Sequence, residues 1–424
     1  MKLTVLAIAV AMYAVVIALP RRKAWAAVGA AVLIVALGVV SPGRALGTLV
    51  NWGVLMIYVG ALTIAELVIY SRVPARVADE IVSRSRNVGV AIVAILVMTG
   101  LVSAFVDNVS TVLVMAPIAL ALSRKIKIAP TYFMIGLAVM ANLQGTATLV
   151  GDPPSMIFAS FARYGFNDFF VSGGRPSIFF VVQAGMLAGA AFFYFHFARH
   201  GSEKVDIAPE PIVSIVPTVL LGLMILGLAV NSFFGAGVSP VSGLYVMCLG
   251  ALGLLWFRFV RGESRERTAS LVRGLDWETI VFLAAIFVMV GAVAEVGLLE
   301  DFAGLLSRLI GDSVLLGFVA IIAVSVLISG FVDNVPYIIA MLPVAARISD
   351  GLGLKPELYL FAILVGSCLG GNLTPFGASA NVVSVGILRK EGIHIGFPEW
   401  LRIGLPFTLV TTAAASAFLW LVWR

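Results

Sequence analysis

The sequence predicts an all-α, polytopic membrane protein made of two inverted five-span repeats, each with a re-entrant hairpin and a broken helix. Three observations carry that reading. First, 61% of the 424 residues are apolar and 12% charged, where soluble domains run about 45–50% and about 25%. Mean hydropathy is +1.08, and apolar runs of about 20 residues, the length that crosses a bilayer, recur from end to end. Second, Phe105-Val106-Asp107-Asn108-Val109 returns 226 positions later, as Phe331-Val332-Asp333-Asn334-Val335. Third, Lys and Arg gather in alternate loops. An ordinary soluble enzyme is excluded. The formal charge of +6 belongs to those loops, so no nucleic-acid partner is expected. Cys248 and Cys368 both lie in apolar runs and make neither a disulfide framework nor a Cys-rich metal site.

Leu3 to Leu19 is the first span; only Lys2 precedes it, and Arg21-Arg22-Lys23 follows. A cleaved signal carries its charge in front, so this segment is read as retained, with its N-terminus outside. Spans near 24–40 and 49–70 follow. Val88 to Ala104 and Val109 to Leu122 are each about 15 residues, short of a crossing. They meet at Asp107-Asn108, residue types of turns and helix caps, and read as a re-entrant hairpin over 88–123. A broken helix over 131–160 and a span near 177–197 complete a first repeat, 1–200. Residues 201–210 are a cytoplasmic linker. Residues 211–424 repeat the order, with spans near 212–231, 239–259 and 277–297, a hairpin over 314–348, a broken helix over 357–387 and a span near 403–422. Pro336 is tolerated because it falls in the first turn after the hairpin tip.

Five crossings per repeat is an odd number, so the repeats are inverted and both termini face outside. The loops then assigned to the cytoplasm are 21–23, 72–86, 124–127, 199–204, 258–273 and 389–402. They hold twenty of the 28 Lys and Arg, as the positive-inside rule requires. The expected location is the cytoplasmic (inner) membrane.

Inverted repeats with broken helices place a transport site near mid-membrane, where the repeats meet. The same offset lays Gly145-Thr146-Ala147-Thr148-Leu149-Val150-Gly151 over Gly371-Asn372-Leu373-Thr374-Pro375-Phe376-Gly377. The first interruption runs on into Asp152-Pro153-Pro154, the second into Ala378-Ser379-Ala380-Asn381. Unwound backbone at depth is tolerated only inside protein or around a water-filled cavity. Its carbonyls, hydroxyls and amides suit a cation, and the helix N-termini beyond it suit an anion or a polar solute. The candidate substrate- and ion-binding residues are therefore Asp107, Asn108, Gly145, Thr146, Thr148, Asp152, Asp333, Asn334, Asn372, Thr374, Ser379 and Asn381. Asp107, Asp333 and Asp152 are the proton-coupling candidates, because a carboxylate at depth pairs with a cation or takes up a proton. No cofactor and no metal site is expected; the coupling ion is H+ or Na+.

Three segments also carry a resemblance: Phe105 to Thr111, Gly145 to Ser155, and Gly370-Gly371-Asn372 running on to Gly377-Ala378-Ser379-Ala380-Asn381-Val382-Val383. They resemble the ion transporter superfamily, nearest its branch of arsenite-efflux, sodium/proton-antiporter and P-protein-like permeases. The resemblance spans both halves. It implies substrate and ion sites at the hairpin tips and broken helices, a homodimer, and an elevator-like movement of the hairpin domain. Whether an ATPase partner joins the cytoplasmic loops is left open. The superfamily's carboxylate transporters carry Ser-Asn-Thr at each hairpin tip, where this chain has Val106-Asp107-Asn108 and Val332-Asp333-Asn334. Aspartates facing one cavity, with no Lys or Arg in the broken segments, repel a di- or tricarboxylate.

The expected function is thus proton-coupled, secondary-active efflux of arsenite or a similar small oxyanion or hydroxide, by elevator-type alternating access. Sodium/proton antiport on the same fold is the alternative. An enzyme is not expected: intramembrane aspartyl proteases carry Gly-x-Gly-Asp, and here Leu149-Val150 precedes Gly151-Asp152. Each candidate also has a plainer reading. Asp107, Asp152 and Asp333 are good helix caps, Asn108 and Asn334 turn residues, and Thr148 and Thr374 hydroxyls that bond back to a carbonyl. Glu66 and Glu295 are read as reaching the membrane interface, His196, His200 and His394 as span ends, and Cys368 as packing.

Overall fold

The computed structural model describes residues 1–19, 22–125, 127–197, 210–234, 237–311 and 313–424. The linker expected at 201–210 lies outside them except for Glu210, as do Arg21 and His200. Helices start where a polar residue precedes an apolar run. α1 (Lys2–Ala18), α2 (Lys23–Ala36), the single turn α3 (Pro42–Arg44) and α4 (Trp52–Ser71) open the chain. Asn51 caps α4, accepting from the Val54 amide at 3.0 Å. α5 (Val73–Arg84) forms where only a charged loop was expected; it buries Pro74, Ala78 and Val82, at helical spacing, on one face. α6 (Val88–Ser103) and α7 (Asn108–Lys125) meet at a turn around Asp107. α8 (Thr131–Gly145) and α9 (Pro153–Ala162) flank the non-helical stretch 146–152, and α10 (Ile178–Phe197) follows. A small departure from an all-helical chain precedes α10. Strands β1 (Val171–Ser172) and β2 (Arg175–Pro176) pair antiparallel through Gly173-Gly174, both with positive φ, the two-residue turn that glycine favours.

The second half contains α11 (Val216–Phe234), α12 (Pro240–Leu255), α13 (Arg265–Gly274), α14 (Trp277–Glu295) and α15 (Leu298–Ile310). It ends with α16 (Val314–Ser329), α17 (Asn334–Gly351), α18 (Glu357–Gly370), α19 (Ser379–Lys390) and α20 (Phe397–Trp423). Shifted by the 226-residue offset, α6 to α9 fall on α16 to α19 within two residues, and α5 falls on α15. Pro117 inside α7 lands on Pro343 inside α17. Among the described residues six helices are long and apolar enough to cross a membrane: α4, α10, α11, α12 with its extension to Val260, α14 and α20.

The helices pack in two groups. In one, α4 lies along α12 and α2 along α14, with α1 and α11 beside them. Gly60 permits the first contact, since a Cβ there would stand 2.6 Å from the Val246 carbonyl carbon; small residues let membrane helices approach this closely. The other group is α6 to α10 with α16 to α20. Its centre is α8 and α18, buried along nearly their whole length. α5 and α15 sit at the joins, α5 against α6 and α7, α15 against α14 and α17.

Candidate functional site

Both hairpin tips are built by an aspartate that holds the next helix. Asp107 accepts from the amides of Ser110 (2.8 Å) and Val109 (3.3 Å), and Asp333 accepts from the amide of Val335 (3.1 Å). These bonds satisfy donors that a helix start leaves open. Each tip is then seated on the interrupted helix of its own half. Thr148 donates to the Ala104 carbonyl, and Thr374, its counterpart, donates to the Gly330 carbonyl at 2.6 Å. The glycines make the fit possible. A Cβ on Gly145 would collide with the Asn108 side chain, and one on Gly377 would stand 2.6 Å from the Gly371 carbonyl oxygen. The repeated Gly, Thr and Gly therefore fold the same way twice.

A cavity of about 450 Å³ lies between the two helix groups. Of the residues expected from sequence, Asp107, Asn108, Asp152, Asp333, Asn334 and Ser379 line it. Asp107, Asp152 and Asp333 are half-buried, and Asp276, the cap of α14, is exposed at the same cavity. Asn108 accepts from Ser103 at 2.7 Å and lines the cavity with Asp152. Gly145, Thr146, Thr148, Asn372, Thr374 and Asn381 are buried and do not line the cavity. Asn381 donates to the Gly371 and Thr374 carbonyls, both at 2.9 Å, which ties the start of α19 to the loop before it. Its side-chain oxygen and the Thr146 hydroxyl have no partner among the described residues.

Two features differ from the sequence reading. Asp152 occupies the cap position of α9 but makes no side-chain capping bond: Pro154 has no amide to offer, and the Ser155 amide goes to the Asp152 backbone carbonyl at 3.0 Å; the carboxylate is left to the cavity. Asp333 does not stand alone either. Lys23, at the start of α2, reaches Asp333 at 2.8 Å and lines the cavity. Sequence reasoning counted Lys23 only as a loop charge, although it heads an apolar run, and it passed over Tyr58 and Asp276. Asp276 precedes an apolar run and caps it, accepting from the Thr279 amide at 3.0 Å, which is the signature that could have found it. Glu295 pairs with Arg44 at 3.1 Å. α19 begins at the cavity with Ala378, which offers no side-chain cap, so the positive end of that helix meets the cavity through Ser379 and Ala380.

Membrane-length helices around a charged cavity make this a polytopic membrane transporter. The chain belongs to the CitMHS citrate transporter family, whose model matches residues 12–366 and 246–424. It is 32% identical to an uncharacterized transporter of Mycobacterium tuberculosis over 377 residues, 88% of this chain and 86% of that one. It is 25% identical over 414 residues to the human P protein, 80% of this chain but 49% of that protein, in keeping with the resemblance to P-protein-like permeases. Its fold is similar to the crystal structure of the Alcanivorax borkumensis YdaH transporter, with a TM-score of 0.59 at 18% identity over 92% of this chain and 87% of that one. Membership is in a family of transporters, not of enzymes.

Proposed function

We propose that the protein is a secondary-active transporter in which Asp107 and Asp152 carry the coupling cation, H+ or Na+. The cargo is a small hydroxide or oxyanion of low charge, with arsenite as the model. The observation that carries this reading is the cavity's charge: four carboxylates, Asp107, Asp152, Asp276 and Asp333, face one ammonium, Lys23. Like charges about 4 Å apart cost about 4 kcal/mol at an effective dielectric of 20, so such a cavity favours cations and neutral solutes over a trianion. The Ser379 end of α19 supplies donors for the oxygens of the cargo.

On this proposal the matched elements of the two halves are inverted five-span repeats. The tips of α6–α7 and α16–α17 are re-entrant, and α8–α9 and α18–α19 are broken spans. The hairpin group moves against the α2–α4–α12–α14 group as an elevator, in a homodimer in the cytoplasmic membrane with both termini outside. Sodium/proton antiport uses the same acids without a separate cargo. A second reading, citrate transport, is favoured by the family's description and by Lys23 with the α19 N-terminus, where a carboxylate would sit.

Purified protein in liposomes under an imposed pH gradient separates these readings. Arsenite movement that dissipates the gradient supports the proposal, and sodium-dependent proton flux without arsenite movement supports antiport. Saturable, gradient-driven citrate uptake would replace both by the citrate reading.

A further inference from the structure

The two hairpin tips have the same sequence and each is capped by its aspartate, yet only one carries an ion pair. Lys23 Nζ lies 2.8 Å from Asp333, with the two side chains 17% and 24% exposed. It also stands over the Phe282 ring, 5.3 Å from its centre, which fixes the ammonium between α14 and the hairpin tip. The matching helix of the other half, α12, starts with Pro240 after its Ser239 cap and has no lysine there. The groups around Asp107 are instead acids and a phenol: Asp152 and Tyr58 at the cavity, and Glu66 on α4 behind it. Lys23 itself is faced by Asp333 from α17, by Asp276 and Glu278 from α14, and by Asp152 from α9.

We infer that Lys23 is a tethered counter-cation that occupies Asp333 and so restricts the exchanged cation to Asp107 and Asp152. This rests on the cation-coupled reading above. An ammonium held on the chain is present at an effective concentration that a free ion in solution does not match. A sodium ion or proton therefore competes poorly for Asp333, while among the described residues no basic side chain pairs with Asp107. Lys23 is a positioning residue here: it touches no cargo, and it sets how many carboxylates are open to the coupling ion.

The test is charge displacement by the full-length protein on a supported membrane, after a sodium jump and, separately, a pH jump. K23R keeps the cation and should match wild type. K23Q frees Asp333, so the charge moved should be about doubled. K23Q/D333N removes both partners and should return to the wild-type value. An unchanged signal in well-folded K23Q overturns the inference, as does a double variant that moves as much charge as K23Q. Should K23Q fail to fold, the double variant decides: folded with wild-type charge it supports the pairing, and folded but silent it overturns it. A wild-type protein that moves no charge on either jump removes the cation-coupled reading itself, a different failure from a K23Q variant that behaves as an active wild type.

Discussion

Asn142 on α8 donates to the carbonyl oxygen of Cys368 on α18 at 2.8 Å, and Cys368 is the residue that the internal repeat places opposite it, 226 positions on. The same amide reaches the side-chain oxygen of Asn372 at 3.0 Å, and Asn372 donates back to the Val139 carbonyl at 3.3 Å. The two halves are thus tied to each other at the centre of the hairpin group, where α8 and α18 are wholly buried. Asn142→Leu keeps a side chain of similar length at the cavity wall but leaves the Cys368 carbonyl and the Asn372 oxygen short of a donor. The expected cost is about 1–3 kcal/mol, read as a lower melting temperature in detergent. A wild-type melting temperature would show that the tie contributes nothing to stability.

The seat of the first hairpin tip depends on a missing side chain. Gly145→Ala pushes a methyl group into Asn108, and overpacking of this kind costs about 1–3 kcal/mol. Because Asn108 lines the cavity beside Asp107 and Asp152, cation-driven transport should fall further than stability does. Gly222→Ala on α11, where a Cβ meets nothing within 4 Å, is the matched control and should transport normally. Equal transport in the two variants would separate Asn108 from the site.

Orientation is tested by cysteine labelling in a variant lacking Cys248 and Cys368. Ser264 caps α13 and Ser313 caps α16. The inverted arrangement puts Ser264 inside and Ser313 outside, so an impermeant reagent added outside should label only S313C. The reverse pattern contradicts the inversion.

Beyond the membrane helices, one carboxylate gives a pH signature. Tyr70 and Arg267 both donate to the Glu263 carboxylate, at 2.7 and 2.9 Å. The Tyr70 bond first, and then the Arg267 guanidinium, hold the Glu263 carboxyl below its ordinary range. A carboxylate depressed in the fold stabilises above its unfolded value and loses that contribution as pH falls through the folded one. Amide protection over 261–274, the exchange rate relative to that of an unstructured amide at the same pH, should therefore hold through the ordinary carboxylate range and fall only below it. In E263Q the protection should not change with pH across that window. Protection lost already in the ordinary range in wild type would mean the cluster does not hold in solution.

The turns between α6 and α7 and between α16 and α17, and the non-helical stretches after α8 and α18, were legible because their signals are local. Asp-Asn after a short apolar run specifies the tip, and Gly, Thr and Gly at a fixed spacing specify the seat, so α6, α7, α16 and α17 start and stop within three residues of their expected bounds. α5 and α15 were missed for an opposite reason: a helix lying across the join needs only one apolar face, and its charges read as a loop; α13 was missed because it is polar and buries none of its residues. Lys23 was missed because its partner is 310 residues away, and nothing near it in sequence shows that α2 begins beside the turn between α16 and α17. Charge counting along the chain assigns a side to a lysine; it does not reveal which carboxylate it meets.

The central claim is that Asp107 carries the exchanged cation. Asp107→Asn keeps a side chain that caps about as well as aspartate, so stability should change by less than about 1 kcal/mol, while the titrating and cation-binding group is gone. The deciding measurement is gradient-driven transport by D107N in liposomes, beside wild type and D333N, with melting temperatures confirming the fold. The account predicts steep loss of pH- or sodium-driven transport in D107N and a smaller loss in D333N, whose partner Lys23 still faces Asp276 and Glu278. Full gradient-driven transport by well-folded D107N would contradict it and leave Asp107 a helix cap.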